Sequence, residues 1–141
     1  DLSCYDSKAV SKPISILGFD VHLRHVEAAK KHAKLAGITK ALSFARADIE
    51  WIDTKVDEKS VDLVITFVPS EGPSQSEKDL EKFFKEFYYQ LEFVLKDTGR
   101  MYLLSQKTGV LKRMLDYFVV IEEKIVWQGE LALTLLTLRK K

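Results

Sequence analysis

The sequence predicts an α/β fold with a mostly parallel sheet that ends in an antiparallel hairpin. Apolar runs alternate with helical patterns along most of the chain, and this alternation is typical of parallel strands joined by helices. Two strand-like runs at the carboxyl-terminal end, 118–127 and 130–138, are separated only by Gln128 and Gly129, which favours a hairpin. With 141 residues, 46% of them hydrophobic, the chain can bury a core. We therefore expect a single domain over residues 1–141.

The first half of the chain contains three predicted strands and one helix. The run at 14–20 is apolar on both faces, as strands inside a parallel sheet are. Apolar residues then recur at helical spacing, and Gly37 stands where a helix would end. The predicted elements are a strand at 14–20, a helix from 23 to 37, and strands at 42–45 and 61–66.

The second half begins with a long predicted helix. Ser74 and Glu77 have the spacing of a capping box, and an apolar stripe continues from Leu80 to Leu95. We expect this helix to end near Gly99. A strand at 100–105 and a short helix at 108–117 precede the hairpin.

Composition excludes several classes of function for this chain. The formal net charge of +1 leaves no strong electrostatic attraction to nucleic acid or an anionic membrane. The single cysteine, Cys4, excludes an internal disulfide and fits the cytoplasm, which is the expected location. No apolar run approaches the ~18 residues that a membrane span needs. Because the sequence begins abruptly at Asp1 without methionine, we expect it to be part of a longer protein.

Acidic residues follow two of the predicted strands. Asp20 ends the first strand and Asp48 follows the second, so parallel strands would bring both to one edge of the sheet. A carboxylate there can accept hydrogen bonds from a ribose diol. The alternative is that each acid caps the following helix or turn. Two acids at matching positions favour the ligand interpretation.

A metal site is not expected. His22 and His25 share a helix face at i, i+3 spacing, but no cysteine or third ligand is nearby in the sequence. Solvated or capping roles are therefore favoured for both histidines.

Taken together, these features resemble a known family. They are a strand ending in Gly-x-Asp, a helix rich in Ala and Lys that ends in Ala-Gly, a strand followed by Ala-Asp, a Val-Asp-Leu-Val-Ile strand before a proline loop, and a terminal hairpin. The chain is similar, over nearly its whole length, to Rossmann-like S-adenosylmethionine-dependent methyltransferases. More narrowly, it resembles the catalytic domain of THUMP-type tRNA methyltransferases, which modify the exocyclic amine of a guanine.

The resemblance assigns roles to particular residues. Asp20 would hold the ribose hydroxyls of S-adenosylmethionine, while Asp48 would hold the adenine amine beside Ile49. Val21 and Phe67 would also line the cofactor site. In the family a loop Asp-Pro-x-Cys-Gly-Ser-Gly-Thr follows the first strand. Asp1 and Cys4 match this loop, and its two glycines are replaced by Tyr5 and Ser7.

The loop after the third predicted strand departs further from the family. Amine-methylating relatives carry Asn/Asp-Pro-Pro-Tyr or Asn-Leu-Pro-Tyr-Gly there, and these residues orient the target amine and stack on the base. This chain has Phe67-Val68-Pro69-Ser70, which retains only the proline. Pro69 and Ser70 are the candidate catalytic residues, and Ser70 or Thr66 could replace the missing acceptor.

The resemblance also indicates that the first strand of the family is missing. In the family that strand lies between those predicted here at 14–20 and 61–66, and this sequence starts just past it. We therefore expect these two strands not to pair directly. We expect the upstream segment that forms the strand between them to be missing from this sequence, to have been cut away, or to be supplied by a separate peptide.

Three functions remain as hypotheses. The first is a methyltransferase domain acting on RNA, with tRNA contacted through a preceding domain absent from this sequence. The second is a catalytically degenerate module that binds RNA or protein, which the replacements Tyr5, Ser7, Phe67 and Ser70 favour. A dinucleotide-dependent oxidoreductase is less favoured, because no Gly-x-Gly-x-x-Gly is present.

Overall fold

A parallel β-α-β arrangement forms the first of two compact units in the computed structural model, which describes residues 14–72 and 75–141. Strand β1 (Ile16–Asp20) pairs in parallel with β2 (Leu42–Arg46), and helix α1 (Leu23–Leu35) connects them. Val26 and Ala33 are the buried residues of α1. Gly37 has a φ of +71°, a left-handed conformation that ends a helix as the sequence predicted. Residues 14–48 belong to this unit.

The second unit, residues 49–141, contains a four-stranded mixed sheet with helices. The strand order is β3-β4-β6-β5, in which β3 and β4 are parallel and the other pairs are antiparallel. The expected hairpin is therefore present as β5 and β6. The elements are a short 3-10 helix (Ile49–Trp51), β3 (Val61–Phe67), α2 (Glu77–Val94), β4 (Leu95–Ser105), α3 (Gly109–Arg113), β5 (Phe118–Gln128) and β6 (Leu131–Lys140).

Aromatic residues of α2 provide much of the core of this second unit. Phe84 and Tyr88 are each only 1% exposed and lie stacked, and Tyr88 also contacts the ring of Phe118. The buried Tyr88 hydroxyl donates to the carbonyl oxygen of Leu111 at 3.2 Å, so its polar atom is satisfied. Burial raises the pKa of Tyr88. The predicted assignment of the apolar stripe to the core is confirmed.

The boundaries of α2 differ from the expected ones. The N-cap is Ser76, whose Oγ accepts from the backbone N–H of Asp79 at 3.2 Å, and not Ser74, which lies outside the described residues. The helix ends at Val94, before Gly99. The backbone N–H groups of Lys59 and Ser60 donate to the carbonyls of Phe93 and Val94, each at 3.0 Å. These carbonyls are thus bonded to the segment before β3, and the chain becomes extended at Leu95.

Each sheet has a strand with one unpaired edge among the described residues. There β1 pairs only with β2, and β3 pairs only with β4. Alternate residues of β3 expose large apolar side chains on one face: Leu63 by 48%, Ile65 by 73% and Phe67 by 55%.

Within residues 14–72 and 75–141, no helix combines the length and apolar character required to cross a bilayer.

Candidate functional site

The two acids predicted to share a sheet edge lie at the same end of the β1–β2 pair. Asp20 is the last residue of β1 and is in register with Arg46, the last residue of β2. The next backbone N–H, that of Ala47, donates to the carbonyl oxygen of Asp20 at 3.2 Å. Asp48 follows immediately and is exposed. The parallel pairing thus brings both acids to the carboxyl ends of the strands, where ligands bind in α/β sheets.

The carboxylate of Asp20 interacts with the start of α1. Its Oδ1 accepts from the backbone N–H of His22 at 2.7 Å, which forms an Asx-turn before the helix. The Nδ1 atom of His25 lies 3.2 Å from Oδ1 and 3.1 Å from Oδ2. The His22 N–H and then the His25 ring lower the pKa of Asp20, so the carboxylate is the stable form near neutral pH. Asp20 therefore supports the turn into α1, as the capping interpretation stated.

The Asp20 side chain nevertheless remains accessible to a ligand. It is 39% exposed, and of its two partners only the exposed His25 ring reaches Oδ2, since the N–H of His22 reaches only Oδ1. An ionised carboxylate accepts hydrogen bonds and donates none, which is the chemistry that binds the hydroxyls of a diol. Beside it, Val21 exposes 42% of its surface, and its carbonyl accepts from Arg46 Nε at 3.0 Å. This end of β1 thus combines an accessible acceptor with an exposed apolar side chain.

The second group of predicted residues lies in the other unit, at the carboxyl end of β3. Phe67 is the last residue of β3 and is 55% exposed. Val68 is 1% exposed, and its N–H donates to the carbonyl of Leu104 at 2.9 Å. Pro69 and Ser70 follow and are half-buried. The buried Val68 therefore anchors the loop that carries both candidate catalytic residues.

The remaining predicted residues are described only in part. Ile49 begins the 3-10 helix of the second unit and is half-buried. Gln90 of α2 holds this helix, since its side chain donates to the carbonyl of Glu50 at 3.3 Å and accepts from the N–H of Asp53 at 2.9 Å. Asp1 and Cys4 lie outside the described residues, as do the replaced loop positions Tyr5 and Ser7.

Sequence reasoning missed the contact between His25 and Asp20. It weighed His25 together with His22 as a metal ligand and favoured solvated or capping roles for both. The two rings do lie close, with centroids 5.2 Å apart. The available signal was position: a residue in the first turn of a helix that follows a strand can reach back to the strand end. In the described part of the chain, no three His, Cys, Asp or Glu side chains are grouped to hold a metal ion.

Comparison with known proteins gives one family and many similar structures. The model of the family UPF0020, described as RMKL-like, methyltransferase domain, matches residues 3–137. No curated protein matches the chain. TrmN from Thermus thermophilus superposes with a TM-score of 0.78 at 23% identity, over 90% of this chain and 36% of that one.

Two other solved structures are also similar. SMU.472 in complex with SAH has a TM-score of 0.77 at 16% identity, over 99% of this chain and 35% of its own. The B. subtilis M1A22 tRNA methyltransferase TrmK has a TM-score of 0.66 at 11% identity, over 90% of this chain and 50% of TrmK. The chain thus spans between about a third and a half of the length of these proteins. At such identities the likeness shows the fold, which confirms the Rossmann-like α/β fold expected from the sequence.

Proposed function

Because the chain belongs to the RMKL-like methyltransferase domain family, we propose that it binds S-adenosylmethionine and transfers a methyl group to a base amine of RNA, with tRNA as the substrate class. The observation that carries the proposal is the accessible Asp20 carboxylate at the end of a parallel strand. The structural likeness to a tRNA methyltransferase, TrmK, supports the choice of RNA. The structural likeness to SMU.472, solved with SAH, supports the choice of cofactor.

The residues at the end of β1 fit the adenosine part of this cofactor. Asp20 would accept hydrogen bonds from the ribose hydroxyls, since its charge and exposure suit a diol. Val21 would cover the sugar with its exposed apolar side chain. The adenine amine is assigned to Asp48 and the adenine ring to Ile49, as the family resemblance implies. When bound, the cofactor supplies an electrophilic methyl group on a sulfonium sulfur.

The loop after β3 would position the target amine. Ser70 is the residue we assign as acceptor for one N–H of the amine, because a hydroxyl oxygen accepts as well as donates. Accepting that N–H would orient the nitrogen lone pair toward the methyl carbon, and orientation of this kind accelerates transfer. Transfer would form the nitrogen–carbon bond as the carbon–sulfur bond breaks, with release of S-adenosylhomocysteine and of a proton from the nitrogen to solvent. Pro69 would hold the loop backbone in place, next to the buried Val68.

Calorimetric titration of the native-length protein with S-adenosylhomocysteine tests the cofactor assignment. Asp20→Asn keeps an oxygen for the His22 N–H but removes the charge, and we expect it to weaken binding about tenfold, since hydrogen bonds to charged groups contribute ~1.5–3 kcal/mol. Asp62→Asn is the matched control, because the Asp62 side chain is 79% exposed on β3. Absence of binding by the unmodified protein contradicts the proposal.

Methyl transfer to tRNA tests the substrate assignment. With labelled cofactor, we expect Ser70→Ala to lower kcat up to about tenfold without changing cofactor affinity, the effect of losing one orienting hydrogen bond of ~0.5–1.5 kcal/mol. Ser15→Ala, an exposed serine before β1, is the control. Cofactor binding without methylation of any RNA would instead indicate the degenerate binding module. An unchanged rate in Ser70→Ala would remove Ser70 from the mechanism.

A further inference from the structure

The acceptor positions of Asp20 are already largely used inside the protein. The N–H of His22 lies 2.7 Å from Oδ1, and His25 Nδ1 lies 3.2 Å from Oδ1 and 3.1 Å from Oδ2. A carboxylate offers about four lone-pair positions. The His22 N–H takes one position on Oδ1, and the His25 contact, shared between the two oxygens, takes one on each. One position is left, so a diol that needs two acceptors must compete with one of the internal partners. The His22 contact belongs to the backbone turn, which leaves His25 as the partner that can be displaced.

The ring proton of His25 is directed at Asp20. Arg24 Nε donates to His25 Nε2 at 3.3 Å, so Nε2 is the accepting nitrogen of the ring. In a neutral imidazole the other nitrogen then carries the proton. Nδ1–H therefore donates to the carboxylate even when the ring is uncharged.

We propose that His25 is a positioning residue that competes with the cofactor ribose for Asp20, so that the nucleoside binds only when His25 turns away. This inference rests on the proposed function. The His25 side chain is 49% exposed, so it can change rotamer without opening the core. His25 would thereby hold the Asp20 carboxylate in place without ligand and lower the affinity of the site for a nucleoside.

The surrounding charges predict how this competition depends on pH. Asp20 faces the His25 ring from the end of β1, and the ring of His22 packs edge-on against it. Arg24 bonds the opposite side of the ring, and Arg46, at the end of β2, is held by a backbone carbonyl at 3.0 Å. An imidazolium attracts a carboxylate more strongly than a neutral ring does. Protonation of His25, which also ends the Arg24 bond because Nε2 then carries a hydrogen, therefore strengthens the competition, and a lower pH favours the protonated ring.

Titration of the native-length protein with S-adenosylhomocysteine at pH 8 and pH 5.5 tests the proposal. We expect His25→Ala to bind about two- to tenfold more tightly at pH 8, as expected for removal of one competing hydrogen bond. The unmodified protein should lose a further two- to fivefold, roughly, at pH 5.5, the scale of an exposed ion pair, whereas His25→Ala should change little. His25→Gln can still donate but cannot become charged, so it should restore part of the competition with a flat pH profile.

Two further variants separate the possible explanations. His32→Ala removes an exposed histidine from the last turn of the same helix and should keep the pH profile of the unmodified protein. Asp20→Asn should bind weakly at both pH values. Equal affinity and equal pH dependence in the unmodified protein and His25→Ala would overturn the role of His25. Weaker binding by His25→Ala would overturn it too. Either result would leave the proposed function intact. If no variant binds at either pH, the proposed function itself fails, and the inference fails with it.

Discussion

Asp20 shows how one residue can serve both the fold and a ligand. Its carboxylate organises the turn into α1 through the backbone N–H of His22, yet 39% of the side chain stays exposed. The capping and ligand interpretations of the sequence are therefore compatible at this position. What the sequence pattern lacked was His25, which contacts both carboxylate oxygens from the first turn of α1.

The titration of Asp20 is the first prediction at this scale. We expect its carboxyl pKa, followed by NMR, to lie below 3.8, because the His22 N–H and the His25 ring both stabilise the charged form. In His25→Ala the value should rise but remain below 3.8, since the His22 contact is retained. By linkage, this interaction favours folding above pH 3.8 and is lost as the pH falls through the lowered value. A midpoint at or above 3.8 would contradict these contacts.

Gly18 provides a second prediction at the residue scale. A Cβ built on Gly18 would lie 2.6 and 2.8 Å from ring carbons of Phe44, because β1 and β2 pair at this point. We expect Gly18→Ala to reduce the free energy of unfolding by ~1–3 kcal/mol through overpacking. Gly72→Ala is the control, since its nearest atom would be 4.0 Å away, and it should change stability by less than ~0.5 kcal/mol. Urea denaturation measures both, and equal effects would contradict the packing account.

At the scale of elements, helix α2 shows where local patterns failed. Both of its predicted boundaries were wrong, although its apolar face was assigned correctly. Ser74 and Glu77 have the spacing of a capping box, but Ser76 bonds Asp79 and the helix begins at Glu77. The N-cap in the structure therefore lies two residues after the one that the capping-box spacing predicts.

The N-cap of α2 can be tested with this pair of serines. We expect Ser76→Ala to cost ~1 kcal/mol of stability, the usual contribution of an N-cap hydrogen bond. Ser74→Ala, at the cap position indicated by the sequence, should cost less than ~0.5 kcal/mol. Thermal denaturation of the two variants compares them directly. A larger loss of stability in Ser74→Ala than in Ser76→Ala would indicate that Ser74 is the N-cap.

At the scale of the whole molecule, some apolar side chains of the four-stranded sheet in the second unit are fully buried, whereas others are largely exposed. Met101, Leu103, Leu136 and Leu138 are each 0% exposed on β4 and β6. Ile65 of β3, a strand with an unpaired edge among the described residues, is 73% exposed. Apolar sequence alone does not separate these two environments, because β3, β4 and β6 are all rich in apolar residues.

Paired substitutions measure this difference. We expect Leu103→Ala to cost ~2–5 kcal/mol, because it leaves a cavity in the core. Ile65→Ala should cost less than ~1 kcal/mol, because folding buries little of the apolar surface of the exposed Ile65 side chain. Urea denaturation gives both free energies of unfolding when the same dependence of that free energy on urea concentration is used for both variants. If Ile65→Ala proves as costly as Leu103→Ala, the face of β3 is covered in the folded protein.

The sequence by itself determined the order of helices and strands along the chain, the terminal hairpin, the acids at strand ends and the family resemblance. These features depend on spacing within short segments, which periodicity and turn residues reveal directly. Tertiary structure decided which strands are neighbours in each sheet, the end of α2 at Val94 and the contact of His25 with Asp20. In α2, backbone groups more than thirty residues away bond its last carbonyls, and at Asp20 the outcome depends on which of several donors reaches the carboxylate. Such choices depend on competition among partners in space, which a linear pattern does not record.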